Sequence, residues 1–324
     1  MTLEEKRKVK QAAATFVVLF VLFNILISAR ILTHRLPQNQ WQLNTIRAET
    51  YVFKKNPWKY VVLGSSLTFR IAPGVDREDT YVMAFAGDSA FTGLEIIRRS
   101  GKVPEYIFVE VNTLGMQPDE GKIQPLFSLQ GKLRRAVHAF REENTPLNFI
   151  MYPVARAILG ISEGISNLAG RIAPSYKEEE KKWSTYDPFR GAVPPENKKA
   201  GEPIPQKVES EPVIVPENLR STAETKKVEE ALIRLQGAVR DVESRGAKVV
   251  FFEMPMLPSR RTDSYKMLKL KLDELFPPDH YKRVPQADDR NLVYSDGLHL
   301  DMPSSLSYAK FLMGFFPDAK PPSR

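Results

Sequence analysis

Four short apolar runs constrain this chain more than anything else in it. Tyr60–Leu63, Tyr81–Phe85, Tyr106–Val111 and Lys248–Phe252 are continuous rather than alternating, and rich in β-branched and aromatic side chains. A strand with one wet face alternates apolar and polar residues, whereas a strand covered on both faces does not. Helical spacing separates the runs. A helix is predicted from about Ala90 to Arg99, stopped by Gly101. Val228, Ala231, Leu232, Leu235, Val239 and Val242 mark one face of a second helix, ending at Gly246. Tyr265, Leu268, Leu272 and Leu275 trace a third, and Leu306–Phe316 closes the chain as a fourth. Strand–helix alternation of this kind predicts an α/β domain around a buried parallel sheet.

The N-terminus points to a compartment. Ala12–Ala29 carries no charge and only Thr15, Asn24 and Ser28 as polar interruptions. With Ile31 and Leu32 it is about long enough to cross a hydrocarbon core as a helix. Lys6, Arg7, Lys8 and Lys10 precede it and outnumber Glu4 and Glu5, which places the N-terminus in the cytoplasm by the positive-inside rule. Ile27-Ser28-Ala29 is a poor cleavage site, so an uncleaved anchor is expected rather than a removed signal peptide. The expected organisation is a cytoplasmic tail (1–11), a transmembrane signal anchor (12–33) and a polar stalk (34–56). An exported domain (57–324) follows, on the periplasmic or extracellular side of the cytoplasmic membrane.

Composition excludes several chemistries. The 324 residues contain no cysteine, so disulfides, thiolate nucleophiles and zinc–thiolate sites are out. Four scattered histidines give no paired metal-ligand spacing, and there is no glycine-rich phosphate loop. Neither a metal nor a cofactor is expected. The formal charge of +8 suits a bilayer surface with anionic headgroups or an acidic glycan. No zinc finger, recognition-helix or aromatic–basic RNA motif accompanies it, so no nucleic acid partner is expected.

One set of residues can do acyl chemistry. The first apolar run breaks at Gly64-Ser65-Ser66, which reads as a strand ending where a serine hydroxyl is exposed. More than two hundred residues later comes Asp296-Gly297-Leu298-His299. A serine is a weak nucleophile at neutral pH until a base takes its proton, and a carboxylate three residues before a histidine can orient that base. Gly87 and Asn112 follow the second and third runs and could donate hydrogen bonds to an oxyanion. Other readings stand beside these. Ser65 and Ser66 could only cap the next helix, Ser89 in Gly87-Asp88-Ser89 competes as nucleophile, and Asp301 competes with Asp296. Glu110 could be a buried structural acid.

In this order Ser66, Gly87, Asn112 and Asp296-x-x-His299 resemble the SGNH (GDSL-like) hydrolase and acyltransferase superfamily, from about Lys59 to Phe316. The resemblance implies a three-layer, flavodoxin-like α/β fold and selects Ser66 over Ser89, since the family's nucleophile follows the first strand. It implies a Ser66–His299–Asp296 triad, with Gly87 and Asn112 as oxyanion donors. Asn112 stands in Glu110-Val111-Asn112-Thr113 rather than Gly-x-Asn-Asp, which is similar to divergent membrane-anchored members that serve alginate acetylation or teichoic acid D-alanylation. The implied function is a serine O-acyltransferase or esterase acting on an exported cell-envelope polysaccharide, with a membrane-embedded acyl-donating partner. A non-catalytic envelope subunit that keeps the fold is the alternative.

Residues 117–220 interrupt the pattern. Leu133, Ala136, Val137 and Phe140 recur at helical spacing, and Leu147–Ala169 reads as an apolar helix at the core or the membrane surface. The Pro- and charge-rich stretch Arg171–Arg220 reads as an extended excursion.

Overall fold

The computed structural model describes residues 1–29, 31–32, 39–54, 58–75, 77–150, 223–289 and 291–318. The described residues fall into two compact units, one built from 1–49 and 125–150, the other from 50–124 and 223–318.

The larger unit is α/β. Its five strands are β1 (Tyr60–Gly64), β2 (Thr80–Ala84), β3 (Tyr106–Glu110), β4 (Lys248–Phe252) and β5 (Lys282–Arg283). All pair in parallel, in the order β2-β1-β3-β4-β5. The four apolar runs are thus the four long strands, displaced by no more than a residue at their ends. Every residue of β1 and β3 is buried, which explains why neither alternates. The fifth strand carries two charged residues and no apolar pattern, and was not foreseen.

The helices of this unit pack in two sets. Helix α4 (Ala90–Ser100) lies against α7 (Ala223–Ser244), and α7 against α8 (Asp263–Leu275). Helix α9 (Met302–Met313) packs on the short α3 (Ser66–Ile71) and the turn Ala72–Gly74. Gly74 lets α9 come close, because a Cβ there would meet the Ala309 side chain. Gly101 and Gly246, the expected helix stops, adopt φ of 70° and 97°. Phe316 closes the core beyond α9, stacked on Tyr60 and tilted against Phe108, with ring centroids 4.7 and 4.4 Å apart.

The smaller unit is helical. Helix α1 (Leu3–Ser28) opens with a capping box between Thr2 and Glu5. It is the one described helix long and apolar enough to cross a membrane. The basic residues assigned to a separate tail are its first turns. Helix α2 (Gln40–Phe53) occupies the region read as a stalk, yet Gln42, Asn44, Ala48 and Glu49 are buried. Glu49 explains how such a polar stretch can pack: its carboxylate takes Arg134 Nη1 at 2.8 Å and the Glu142 N–H at 2.9 Å. Helices α5 (Glu120–Phe127) and α6 (Leu129–Ala136) begin the expected insertion. The helical spacing through Phe140 is interrupted at Val137, after which 138–140 form a separate 3-10 turn. Arg171–Arg220 and nearly all of Leu147–Ala169 lie outside the described residues.

Candidate active site

Ser66 stands where β1 gives way to α3. Ser65 is the N-cap of that helix, its Oγ accepting the Leu67 N–H at 3.2 Å. Capping therefore belongs to Ser65, which leaves the Ser66 hydroxyl for other work. Register explains what holds the turn. β1 pairs with β3 so that Leu63 faces Val109, which brings Glu110 alongside Gly64. The fully buried Glu110 carboxylate accepts the Ser65 N–H at 2.8 Å, the Ser65 hydroxyl at 2.8 Å and the Thr68 hydroxyl at 2.6 Å. Burial pushes its pKa up, and the hydrogen bonds from Thr68 and Ser65 work against that rise. Gly64 has to be glycine here, because a Cβ would overlap Thr68 and press on Glu110 Oε2.

His299 comes from the other end of the chain. Its loop is pinned at the base by an antiparallel bridge between Tyr294 and Leu300 and by Ser295 N–H donating to His299 O at 2.9 Å. Gly297 supplies the turn, with φ of 73°. Asp296 Oδ1 accepts the N–H groups of Leu298 and His299 at 3.0 and 2.8 Å, closing an Asx turn. Its Oδ2 lies 2.7 Å from His299 Nδ1, and His299 Nε2 lies 2.9 Å from Ser66 Oγ. A carboxylate only accepts, so Nδ1 carries the proton and Nε2 of the neutral ring accepts from the serine. The His299 backbone N–H, then its ring, then the Leu298 N–H hold the Asp296 carboxyl well below the usual carboxylate range.

The other expected residues divide. Gly87 follows β2 with φ of 75°, a backbone that L side chains rarely adopt. Asn112 is buried and exchanges two hydrogen bonds with Met254: Nδ2 donates to its carbonyl at 2.9 Å, and Oδ1 accepts its N–H at 2.8 Å. This ties the ends of β3 and β4 together and commits one of the two amide protons. Asp301 is the N-cap of α9, accepting the Ser304 N–H at 2.9 Å, and so is used elsewhere than at His299. Ser89 is fully buried at the start of α4, its hydroxyl without a partner among the described residues. The neighbouring Asp88 accepts from Thr92 Oγ1 at 2.7 Å and pairs with Lys122 Nζ at 2.9 Å, so the Gly-Asp-Ser letters mark a helix start.

No family model, curated protein or solved structure matches this chain. What the site can do must come from its geometry. A serine hydroxyl within hydrogen-bond distance of an imidazole, itself oriented by a carboxylate, is the arrangement that nucleophilic acyl chemistry needs. Among the described residues no cluster of three or more His, Cys, Asp and Glu is placed to hold a metal ion. The feature sequence reasoning left open is Glu110. Its position at the end of a strand adjacent to a Gly-Ser-Ser turn was the available signal, but reading it required the β1–β3 register.

Proposed function

We propose that the chain is a membrane-anchored serine acyl-transfer enzyme, related at a distance to the SGNH superfamily and its three-layer fold. The observation that carries this reading is the continuous line Ser66 Oγ–His299 Nε2, His299 Nδ1–Asp296 Oδ2. The five-stranded all-parallel sheet and the strand-end placement of Ser66, Gly87 and Asn112 support it.

The chemistry follows from the geometry. Ser66 Oγ attacks an acyl carbonyl while its proton passes to His299 Nε2, and Asp296 stabilises the imidazolium that forms. The developing oxyanion is met by the Ser66 and Gly87 N–H groups, with the uncommitted Asn112 amide proton as a third donor. Collapse expels the leaving group, which takes the proton from His299, and leaves an acyl ester on Ser66. A second hydroxyl then enters, gives its proton to His299 and takes the acyl group, and His299 returns that proton to Ser66 Oγ as the ester bond breaks. If that hydroxyl is a sugar's, the reaction is O-acyl transfer; if it is water, the reaction is hydrolysis. The apolar α1, the basic balance of the sequence and the resemblance favour an envelope polysaccharide as acceptor, on the outer side of the cytoplasmic membrane. A membrane-embedded protein would supply the acyl group.

A fluorophosphonate probe tests the reading. Wild type and Ser89→Ala should be labelled, and Ser66→Ala and His299→Ala should not. Labelling that survives Ser66→Ala would sink the assignment, and a wild type that is never labelled would favour a binding subunit instead.

A further inference from the structure

Asn24 and Ser28 are the two polar residues in the second half of the α1 apolar run, and both find partners in one segment of the smaller unit. Asn24 Oδ1 accepts the Ala139 N–H at 3.1 Å, and Ser28 Oγ lies 3.3 Å from His138 Nδ1. Phe20 packs on Phe140 with ring centroids 5.3 Å apart, and Phe23 on Phe149 at 5.9 Å. Phe20, Phe23, Asn24, Ile27 and Ser28 share one helix face by their spacing. That face is covered by residues 138–149, and Ile27 is the buried residue of α1. Val17, Val18, Val21, Leu22 and Ile25 stay exposed.

Depth then decides the surroundings of the covering segment. Ala29 is nine positions beyond Phe20, about 13 Å along a helix axis. Phe140, beside Phe20, therefore lies well inside the apolar run rather than at its edge. A hydrocarbon core is about 30 Å thick, so a helix that spans it holds this segment within the leaflet where the run ends. The segment is suited to that place. Phe140, Leu147 and Ile150 are exposed, as are Leu129 and Leu133, four residues apart on α6. Lys132 and Arg135 flank Leu133, both exposed, with stems long enough to reach headgroups. Polar side chains satisfy its backbone: Asn144 Nδ2 donates to His138 O at 2.7 Å, and Asn148 Nδ2 to Glu142 O at 3.1 Å. Irregular backbone near lipid needs such internal partners.

We propose that residues 129–150 are a second membrane contact, an interfacial segment seated beside the exit end of α1. Its exposed apolar side chains enter the acyl-chain region, and Lys132 and Arg135 meet anionic headgroups. The proposal rests on α1 being an anchor, and the test separates the two.

The natural chain has no cysteine, so a single introduced one carries a unique label. Full-length Phe140→Cys, Leu147→Cys, Ile150→Cys and, in α1, Val18→Cys each receive an environment-sensitive maleimide fluorophore. Each is reconstituted into phosphatidylcholine–phosphatidylglycerol vesicles with and without acyl-chain nitroxide lipid. All four sites are exposed, and of the four only Phe140→Cys gives up a ring contact, the one with Phe20. The expected result is loss of emission at 140, 147 and 150 comparable to the loss at 18. Quenching at 18 with none at 140, 147 and 150 would overturn the second contact and leave the anchor standing. No quenching at 18 would overturn both.

Discussion

Removing the Glu110 carboxylate should damage the protein in proportion to the donors it leaves behind. Glu110→Ala strips the acceptor from the Ser65 N–H, the Ser65 hydroxyl and the Thr68 hydroxyl, in a place where Gly64, Ser65 and Thr68 are all buried. The backbone N–H cannot turn elsewhere, and a buried donor without a partner costs about 1–3 kcal/mol. The hydroxyls can rotate and lose less, while the one lost methylene adds about 0.8 kcal/mol. The total comes to about 3 kcal/mol, a large share of a stability of about 5–15 kcal/mol. Glu110→Gln keeps one oxygen for Ser65 N–H and Thr68, and its amide can donate to Ser65 Oγ. It should cost only about 1 kcal/mol. Urea unfolding followed by tryptophan fluorescence measures both. Fluorophosphonate labelling of the folded fraction measures whether Ser66 has moved, since a 1 Å misplacement costs about 100-fold. We expect labelling near wild type in Glu110→Gln and about 100-fold slower in Glu110→Ala. The variants also differ with pH. Burial raises the Glu110 pKa, so the folded state holds this proton more tightly than the unfolded chain. The associated stability is present below the unfolded value and lost as pH rises through the folded one. Wild type should therefore decline against Glu110→Gln as pH climbs above about 4.3, the usual glutamate value. An alanine variant within about 1 kcal/mol of wild type, or a glutamine variant as damaged as the alanine one, would refute the reasoning.

Two further outcomes are expected. Gly64→Ala forces a methyl group against Thr68 and Glu110, and should cost about 1–3 kcal/mol by overpacking and slow Ser66 labelling; an unchanged labelling rate would count against the tight turn. The Asp296 carboxyl has the opposite pH sign to Glu110: its lowered pKa gives stability that is present above the unfolded value and lost as pH falls through the folded one. Asp296→Asn should thus trail wild type by under about 1 kcal/mol at pH 6, for so exposed a group, with the gap closing in acid. A gap independent of pH would contradict it.

What was legible in the sequence was whatever short-range pattern encodes. β1 to β4 announce themselves because strands buried on both faces cannot alternate, and the helix ends at Gly101 and Gly246 follow from their left-handed backbone. Asp296-Gly297-Leu298-His299 is equally local, since its Asx turn and Gly297 fix the ring against its own carboxylate. Illegible were the contacts that depend on register or on distant partners. Glu110 meets Ser65 only because β1 and β3 lie side by side, and Asn112 meets Met254 across 142 residues of chain. Helix α2 looks like a solvated stalk until Arg134 and Glu142 supply partners for Glu49. The two residues of β5 carry no signal because a strand so short is defined by its neighbour.

The separation of Ser66 from His299, 233 residues, also bears on when the two side chains can meet. Contacts between such remote positions carry a large loop-closure cost and form late in folding. The C-terminal stretch that delivers the imidazole also lays α9 on α3 and Phe316 over Tyr60 and Phe108. Imidazole and covering layer arrive together. A growing chain, made N-terminus first, presents Ser66 long before His299 can meet it. On the proposed function, order of synthesis thus acts as a safety catch, keeping the serine inert until the domain around it is closed.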